Sequence, residues 1–232
     1  DGGANWQSNK NFPALPGSTT AYTILVEDIN GCQFSASIFL PDPAPIVFSA
    51  SSLSFNGFGV TCNGASDGVI TASASGGTGA LTYSIDGTTF QNSPIFSGLS
   101  AAVIPYTIIV KDAQGCTEDT ALLITEPLPF SITAAATVFP SYNGSDVSCY
   151  DVCNGEVTVT ELGGVGLITY TMTNYPSQTS SLWATVCGDL SYTINATDAN
   201  ACPATTTITL TEPLPWAYTV DSIAETCVGN GQ

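Results

Sequence analysis

The sequence contains no histidine, and only two basic residues, Lys10 and Lys111, accompany 19 acidic ones, giving a net charge of −17 at pH 7. With so few cations to neutralise phosphate groups, we expect neither nucleic acid nor an anionic membrane surface as a partner. The absence of histidine also removes the side chain most used in general acid–base catalysis. Glu156 and Glu161 lie on one predicted strand, where their odd separation puts them on opposite faces. We therefore expect no catalysis and no cofactor.

Long apolar runs and closely spaced metal ligands are also missing. No run approaches the roughly 18 residues of a membrane-spanning helix, so we expect no membrane insertion. The eight cysteines include no C-x-x-C pair, which argues against a zinc site. Disulfides remain, and they indicate an oxidising, extracellular location. The opening residues, "DGGANWQSNK", do not resemble a signal peptide, and we interpret the chain as a piece of a longer protein.

Two sequence blocks recur along the chain. "YTILVEDINGC" from Tyr22, "YTIIVKDAQGC" from Tyr106 and "YTINATDANAC" from Tyr192 follow one another at intervals of 84 and 86 residues. "VTCNGASDG" from Val60 has its counterpart in "VSCYDVCNG" from Val147. A repeat of this length is a whole small domain, unlike the shorter units of solenoids. We predict the end of one repeat at 1–45, complete repeats at 46–129 and 130–215, and the start of another at 216–232.

Apolar and polar residues alternate within each repeat, which is the period of strands with one buried face. Pairs such as Asp86-Gly87 and Gln114-Gly115 separate the runs and indicate tight turns. About seven short strands per repeat predict an all-β fold of tandem immunoglobulin-like sandwiches. Tyr106 and its copies open the predicted sixth strand, either as tyrosines whose hydroxyl ties back to a loop or as ordinary core residues. Predicted core positions include Ile70, Ala72, Tyr83, Ile108, Val110, Val157, Val159, Tyr170, Ile194 and Leu210.

Each repeat ends in an acidic residue and two prolines, at 42–45 ("DPAP"), 126–129 ("EPLP") and 212–215 ("EPLP"). Proline fixes φ and favours extended geometry in the residue before it, so these joints are predicted to be short, stiff spacers. The repeats are then expected to lie end to end as a rod.

The motifs together resemble the repeats of the SprB-type gliding-motility adhesins, giant surface proteins of the Bacteroidota exported by the type IX secretion system. The resemblance rests on C-N-G-A-S-D-G at 62–68, S-G-G-T-G at 75–79 with Tyr83, and Y-T-I-I-V-K-D-A-Q-G-C at 106–116. It implies a filamentous surface adhesin or another long fibre built from the same module. The second repeat departs from the pattern at Cys153, an added cysteine, and at Ala201, which replaces the hairpin glycine and puts that turn in doubt.

Eight cysteines allow many disulfide pairings, and we use the predicted strand order to decide among them. Cys153 precedes the second predicted strand and Cys187 the sixth, which puts both at one end of a sandwich, and we predict that they bond. Cys62 and Cys116 fall at opposite ends of their repeat, too far apart for a disulfide. End-to-end repeats would instead bring Cys62 to Cys202 and build a covalent ladder. The other ladder cysteines would pair with repeats outside this chain: Cys32, Cys116, Cys149 and Cys227.

Two other pairing schemes stay open. Pairing inside one repeat would require a different strand order. A local scheme would join Cys32–Cys62, Cys116–Cys149 and Cys202–Cys227.

Calcium at the joints between repeats is a minor hypothesis. End-to-end repeats would bring Glu126 near Asp198 and Asp42 near Asp112, and Ca²⁺ prefers such oxygen ligands. The favoured alternative is that Asp28, Asp112 and Asp198 cap their hairpins as Asx-turns.

Two further features, a pair of possible glycosylation motifs and three tryptophans, can each be interpreted as functional or as purely structural. Thr120, in Asp-Thr-Ala, and Ser222, in Asp-Ser-Ile, resemble the O-glycosylation motif of Bacteroidota, with unmodified exposed hydroxyls as the alternative. Trp6, Trp183 and Trp216 could stack on a sugar, but they do not recur at equivalent repeat positions. Trp216 opens a predicted first strand, so packing in the core or at a joint is favoured.

The sequence thus predicts a structural stalk segment of an extracellular filament or cell-surface adhesin, serving gliding or attachment. Its expected partners are neighbouring repeats of the same chain, with lateral self-association, and surface glycans or substrata reached through regions outside this chain. The rival interpretation is a carbohydrate-binding or accessory module of a secreted enzyme.

Overall fold

The structure is a computed structural model, and it describes residues 6–138 and 144–219. All the regular elements within these ranges are β-strands, as the alternation predicts. The chain divides into two compact units. Unit 1 comprises Asp1–Ser54 and Ser66–Thr125, and unit 2 comprises Phe55–Ala65 and Glu126–Gln232.

Unit 1 contains an antiparallel hairpin and two three-stranded sheets in its described residues. The hairpin pairs β1 (Tyr22–Glu27) with β2 (Gln33–Ile38). One sheet has the order β3-β4-β6, formed by β3 (Val47–Ser52), β4 (Gly68–Ser75) and β6 (Ile95–Leu99). The other has the order β5-β7-β8, formed by β5 (Thr82–Ser84), β7 (Tyr106–Lys111) and β8 (Thr117–Leu122).

Unit 2 contains a three-stranded and a four-stranded antiparallel sheet in its described residues. The first has the order β13-β10-β9, formed by β9 (Ser131–Ala136), β10 (Cys153–Leu162) and β13 (Leu182–Cys187). The second has the order β12-β11-β14-β15, formed by β11 (Thr169–Met172), β12 (Tyr175–Gln178), β14 (Ser191–Thr197) and β15 (Pro203–Thr209).

The strand order of unit 2 is that of an immunoglobulin-like sandwich. The first, second and fifth strands form one sheet, and the other four form the second sheet. Unit 1 follows the same order between Val47 and Leu122, with an isolated bridge from Tyr83 to Gln91 at the place of β12. In unit 2 the equivalent pair, Tyr170 and Gln178, joins β11 to β12.

The alternating apolar residues form the cores of both sandwiches. Ile70, Ile108 and Val110 are fully buried in unit 1, and Val157, Ile194 and Leu210 in unit 2. Trp183 is also buried, and its ring meets the ring of Tyr170 edge-on at a centroid distance of 6.0 Å. Each core therefore comes from the period-two faces that the sequence marks, because a strand buries every second side chain.

The tyrosine that opens the hairpin block ties back to a loop in all three copies. The hydroxyl of Tyr22 donates to the Pro16 carbonyl at 2.9 Å, and that of Tyr106 to the Ser100 carbonyl at 3.0 Å. Tyr192 donates to Cys187 in the same way, at 3.1 Å. The loop-tying interpretation of these tyrosines is thus confirmed.

The tight turn survives the loss of its glycine at Ala201. The Ala201 N–H donates to the Asp198 carbonyl at 3.0 Å, as that of Gly115 donates to Asp112 at 3.1 Å. The cost is conformational, since Ala201 has a φ of 66°, in the left-handed region that glycine tolerates best.

Ala201→Gly is expected to stabilise unit 2 by about 1 kcal/mol, because it relieves the left-handed strain. Gly115→Ala is the matched control, since Gly115 has a φ of 90° and a Cβ there would meet open space. We expect that change to destabilise unit 1 by a similar amount. Urea denaturation midpoints measure both effects, and an unchanged midpoint in Ala201→Gly would contradict the strain.

The predicted repeat boundaries after residues 45, 129 and 215 stay predictions. The compact units follow contacts between residues, and these place the loop Phe55–Ala65 in unit 2, although β3 and β4 on either side of it belong to unit 1. The last predicted segment, 216–232, is described only as far as residue 219, and Trp216 is 92% exposed there and outside any strand.

Candidate functional site

A disulfide joins the loop Phe55–Ala65, which we call the cysteine loop, to the turn between β14 and β15. Cys62 bonds to Cys202, with 5.7 Å between their Cα atoms and 140 residues between them in sequence. Val60 is fully buried, and Cys202 is 5% exposed. The structure thus brings together the pair that the end-to-end arrangement predicts.

Asn200 holds the cysteine loop beside the disulfide. Its side-chain amide donates to the Thr61 carbonyl at 3.0 Å, and its carbonyl oxygen accepts from the Asn56 amide at 2.5 Å. The first bond satisfies a backbone carbonyl that a loop otherwise leaves to water, and the second joins two side chains. The part of the loop that precedes Cys62 is therefore fixed by hydrogen bonds to Asn200.

Asp198 positions Cys202 for this bond. One oxygen of its carboxylate accepts the N–H groups of Asn200 and Cys202, each at 2.9 Å. The other oxygen accepts the Val165 N–H at 2.8 Å. The turn is an Asx-turn whose aspartate also anchors a second loop.

The same aspartate arrangement recurs at the other two hairpins. Asp112 accepts the N–H groups of Gln114 and Cys116 with one oxygen, at 2.9 and 2.8 Å, and that of Thr78 with the other at 2.8 Å. Asp28 accepts the Cys32 N–H at 2.8 Å. Each hairpin cysteine therefore has its backbone fixed by the aspartate four residues before it.

The linker 126–129 is held at both of its ends. The Glu126 carboxylate accepts the Gly64 N–H of the cysteine loop at 2.6 Å, and the Pro127 carbonyl accepts the Asn63 amide at 3.0 Å. Farther along, the Pro129 carbonyl packs so closely against Gly163 that a Cβ on that glycine would overlap it. The linker is thus held by hydrogen bonds at one end and by close packing at the other, which agrees with the predicted stiffness of the proline pair.

Glutamate caps the equivalent loop of the second repeat as well. The Glu212 carboxylate accepts the Asp151 N–H at 3.2 Å, and Asp151 and Gly64 have φ values of 60° and 75°. The two loops therefore match residue for residue, which makes Cys149 the counterpart of Cys62. In this register Cys153 corresponds to Ser66 and is a substitution, not an insertion.

Cys153 and Cys187 form the second disulfide, within one sheet of unit 2. They are directly opposed on β10 and β13, with 3.8 Å between their Cα atoms. The structure therefore brings this predicted pair together as well. Ser66 and Ser100 hold the corresponding place in unit 1, and their hydroxyl oxygens lie 2.8 Å apart.

Ser66→Cys with Ser100→Cys is expected to form a disulfide, because the pair matches Cys153–Cys187 in place and has the same sequence separation of 34 residues. Closing such a loop typically stabilises by about 2–4 kcal/mol. Free-thiol counting and denaturation with and without reductant measure this. The single variants Ser66→Cys and Ser100→Cys are the controls, and two titratable new thiols in the oxidised double variant would contradict the correspondence.

The hydrogen bonds to Asp112 stabilise its charged form. The N–H of Thr78, followed by those of Cys116 and Gln114, holds the pKa of the Asp112 carboxyl below its usual value of 3.8 against an opposing effect of burial. The pKa of Asp86 is lowered by the N–H groups of Thr89 and Thr88. A carboxyl with a depressed pKa contributes stability above pH 3.8, and this contribution is lost as the pH falls through the folded-state pKa.

Asp112→Asn is expected to destabilise unit 1 at neutral pH and to lose that difference from wild type as the pH falls below 3.8 and through the lowered pKa of Asp112. Asp119→Asn, an exposed change on β8, is the control and should leave the melting temperature nearly unchanged. Melting temperatures between pH 7 and 2 measure the effect. A constant difference between Asp112→Asn and wild type over this range would refute the linkage.

The metal, glycosylation and membrane predictions concern further features of the chain. Within residues 6–138 and 144–219, no group of three or more His, Cys, Asp or Glu side chains is arranged to hold a metal ion. The three aspartates cap their hairpins, as the favoured interpretation states. Thr120 is half-buried on β8, and Ser222 lies outside the described residues. No helix of the described chain has the length and hydropathy to cross a membrane.

The other cysteines and aromatic residues vary in exposure. Cys32, Cys116 and Cys149 are exposed free thiols, and Cys227 lies outside the described residues. Trp183 belongs to the core, whereas Trp6 is about half exposed. Trp216 is 92% exposed, and the predicted repeat that it opens is described only as far as residue 219, so packing at that joint stays a prediction.

Sequence reasoning missed the polar residues that hold the disulfide. Asn63, Asn200 and the capping role of Glu126 carried no signal beyond their place beside a cysteine or proline. A residue-by-residue alignment of the two loops would have shown the correspondence of Ser66 with Cys153.

The fold and the disulfide-linked cysteine loop place the chain in the class of tandem immunoglobulin-like sandwich proteins that contain disulfides. Within it, the family model described as the SprB repeat matches residues 60–90. This segment contains most of the cysteine loop, the glycine pair Gly76-Gly77 and Tyr83. The sequence resemblance to SprB-type repeats is confirmed over this stretch.

Two solved structures show similarity to the chain. One is the C-terminal 282-residue fragment of intimin in complex with the intimin-binding domain of the translocated intimin receptor, with 12% identity and a TM-score of 0.33. The similarity covers 82% of this chain and 57% of that one. The other contains fibronectin(III)-like modules of CbhA from Clostridium thermocellum, with 13% identity, a TM-score of 0.30 and coverage of 64% and 86%. A comparison with curated proteins gives no match.

Proposed function

We propose that this chain is a load-bearing stalk segment of an extracellular filament or cell-surface adhesin. The observation that carries the proposal is the Cys62–Cys202 bond, which closes a loop of 140 residues. The linker 126–129 lies within this loop. When the two chain ends are pulled apart, the tension passes through this covalent bond. The enclosed residues then bear none of it. A module of this kind works through its length and strength and needs no catalytic pocket.

Three features support this role. The SprB repeat match at 60–90 suggests a structural or adhesin-type module. Disulfides persist in oxidising compartments, which supports an extracellular or cell-surface location. The linker 126–129 is held by hydrogen bonds at Glu126 and Pro127 and by close packing of Pro129 against Gly163, as a stiff spacer requires. Arrangement of the repeats in line, gliding motility, type IX export and a Bacteroidota source belong to the proposal, and so do lateral self-association and attachment to glycans or substrata.

Single-molecule pulling by the two chain ends tests the role of the bond. In wild type, the residues between Cys62 and Cys202 cannot extend. Cys62→Ser with Cys202→Ser frees them, except for the 34 residues that Cys153–Cys187 still encloses. We expect roughly 370 Å of additional contour length at about 3.5 Å per freed residue.

Cys153→Ser with Cys187→Ser is the matched control. This pair lies inside the longer loop, so its removal should add no length while Cys62–Cys202 stays closed. Equal contour lengths for wild type and the Cys62→Ser/Cys202→Ser variant would show that the bond carries no load, and the proposal would fail.

A further inference from the structure

Two pockets in the chain occupy equivalent places in successive repeats. The first, the Cys202 pocket, has a volume of about 230 Å³ in unit 2. Its walls include the linker 127–129, Asp198 and Cys202. The second, the Cys116 pocket, has a volume of about 350 Å³ in unit 1. Its walls include 43–45 of the preceding linker, Asp112 and Cys116.

The two pockets share their construction. Each has a Pro-x-Pro linker on one side and a hairpin cysteine on the other, with the cysteine N–H bonded to its aspartate at 2.8 Å in Cys116 and 2.9 Å in Cys202. They differ in one wall. The Cys202 pocket is closed by Cys62 and Asn63 of the cysteine loop, whereas Cys116 is an exposed free thiol.

We propose that the Cys116 pocket is a docking site for a second cysteine loop of the Val-Thr-Cys-Asn-Gly type, carried by another repeat and closed by a disulfide to Cys116. The Cys202 pocket of unit 2 identifies the occupant, because there Cys62 and Asn63 of such a loop form the wall that the Cys116 pocket lacks. This inference deepens the proposed stalk function, since it makes the disulfide link a recurring one.

The contacts that the cysteine loop makes at the Cys202 pocket specify how the second loop is recognised at the Cys116 pocket. Glu126, which accepts the Gly64 N–H, corresponds to Asp42, which lines the Cys116 pocket. Pro127, which accepts the Asn63 amide, corresponds to Pro43. The docked loop therefore donates its glycine N–H to Asp42 and its asparagine amide to the Pro43 carbonyl.

Bond formation is a two-electron oxidation. The two thiols lose two protons and two electrons to a disulfide oxidant, which is reduced to two thiols. In the test, the oxidising equivalent is supplied on the loop as a mixed disulfide with thionitrobenzoate. The Cys116 thiolate attacks the loop sulfur, the new Sγ–Sγ bond forms, and thionitrobenzoate leaves with the electron pair of the broken bond.

The probe is a synthetic peptide of the cysteine loop, residues 55–65, carrying that mixed disulfide. Two variants of the full chain each keep one of the two thiols compared: Cys32→Ser/Cys149→Ser/Cys227→Ser keeps Cys116, and Cys32→Ser/Cys116→Ser/Cys227→Ser keeps Cys149. Cys149 is also exposed, but it corresponds to Cys62 of the cysteine loop and not to a hairpin cysteine. Rates are normalised to those with a small aromatic disulfide, which removes differences in intrinsic thiol reactivity.

We expect Cys116 to react with the loop peptide about tenfold faster than Cys149, the value of one hydrogen bond to a charged group. A scrambled peptide should abolish the preference. Asp42→Ala in the Cys116 variant should slow the loop peptide about tenfold while leaving the small reagent unaffected, and an unchanged circular dichroism spectrum shows that the variant is folded.

Equal normalised rates at Cys116 and Cys149 would overturn the docking site, as would an Asp42→Ala variant that reacts normally with the peptide. Cys116–Cys149 bonds between two copies of the wild-type chain, formed in preference to the peptide adduct, would also overturn it, because the occupant would then be a second copy. None of these outcomes affects the pulling measurement on Cys62–Cys202, so the two proposals fail separately.

Discussion

The carboxylate that caps each hairpin is the interaction on which the linked structure depends. Asp198 accepts two N–H groups from its own turn and one from a second loop, and this fixes the backbone of Cys202 where Cys62 can reach it. A disulfide requires Cα atoms within about 7 Å of each other. If the turn were not fixed, Cys202 would occupy positions beyond this distance from Cys62. The aspartate recurs at all three hairpins, and the cysteine follows it at the same distance each time.

Stiffness at the linker has two sources that act together. Proline restricts φ at 127 and 129, as the sequence indicates. The hydrogen bonds from Asn63 and Gly64 then hold the Glu126 end, and the close approach of Pro129 to Gly163 holds the other. Glycine is required at 163 because any side chain would collide with the Pro129 carbonyl, while its φ of 73° lies in the left-handed region.

The two repeats use different chemistry at one equivalent position. Ser66 and Ser100 meet through a hydrogen bond, whereas the corresponding residues of the next repeat, Cys153 and Cys187, form a covalent bond. The tyrosine hydroxyl that donates to residue 100 in one repeat and to 187 in the other shows that the surrounding backbone is the same. An extra cysteine pair is thus added to an existing contact without a change of fold.

Strand period, repeat length and the loop-tying tyrosines could all be predicted from the sequence, because each depends on local spacing: a strand buries every second residue, and Tyr106 and Tyr192 begin the same strand in each copy. The Cys153–Cys187 pairing could be predicted too, since it requires only strand order. Tertiary structure alone decided what holds Cys62 beside Cys202. Asn63, Asn200 and Glu126 act across as many as 139 residues of sequence, and hydrogen bonds at that separation leave no periodic pattern to find.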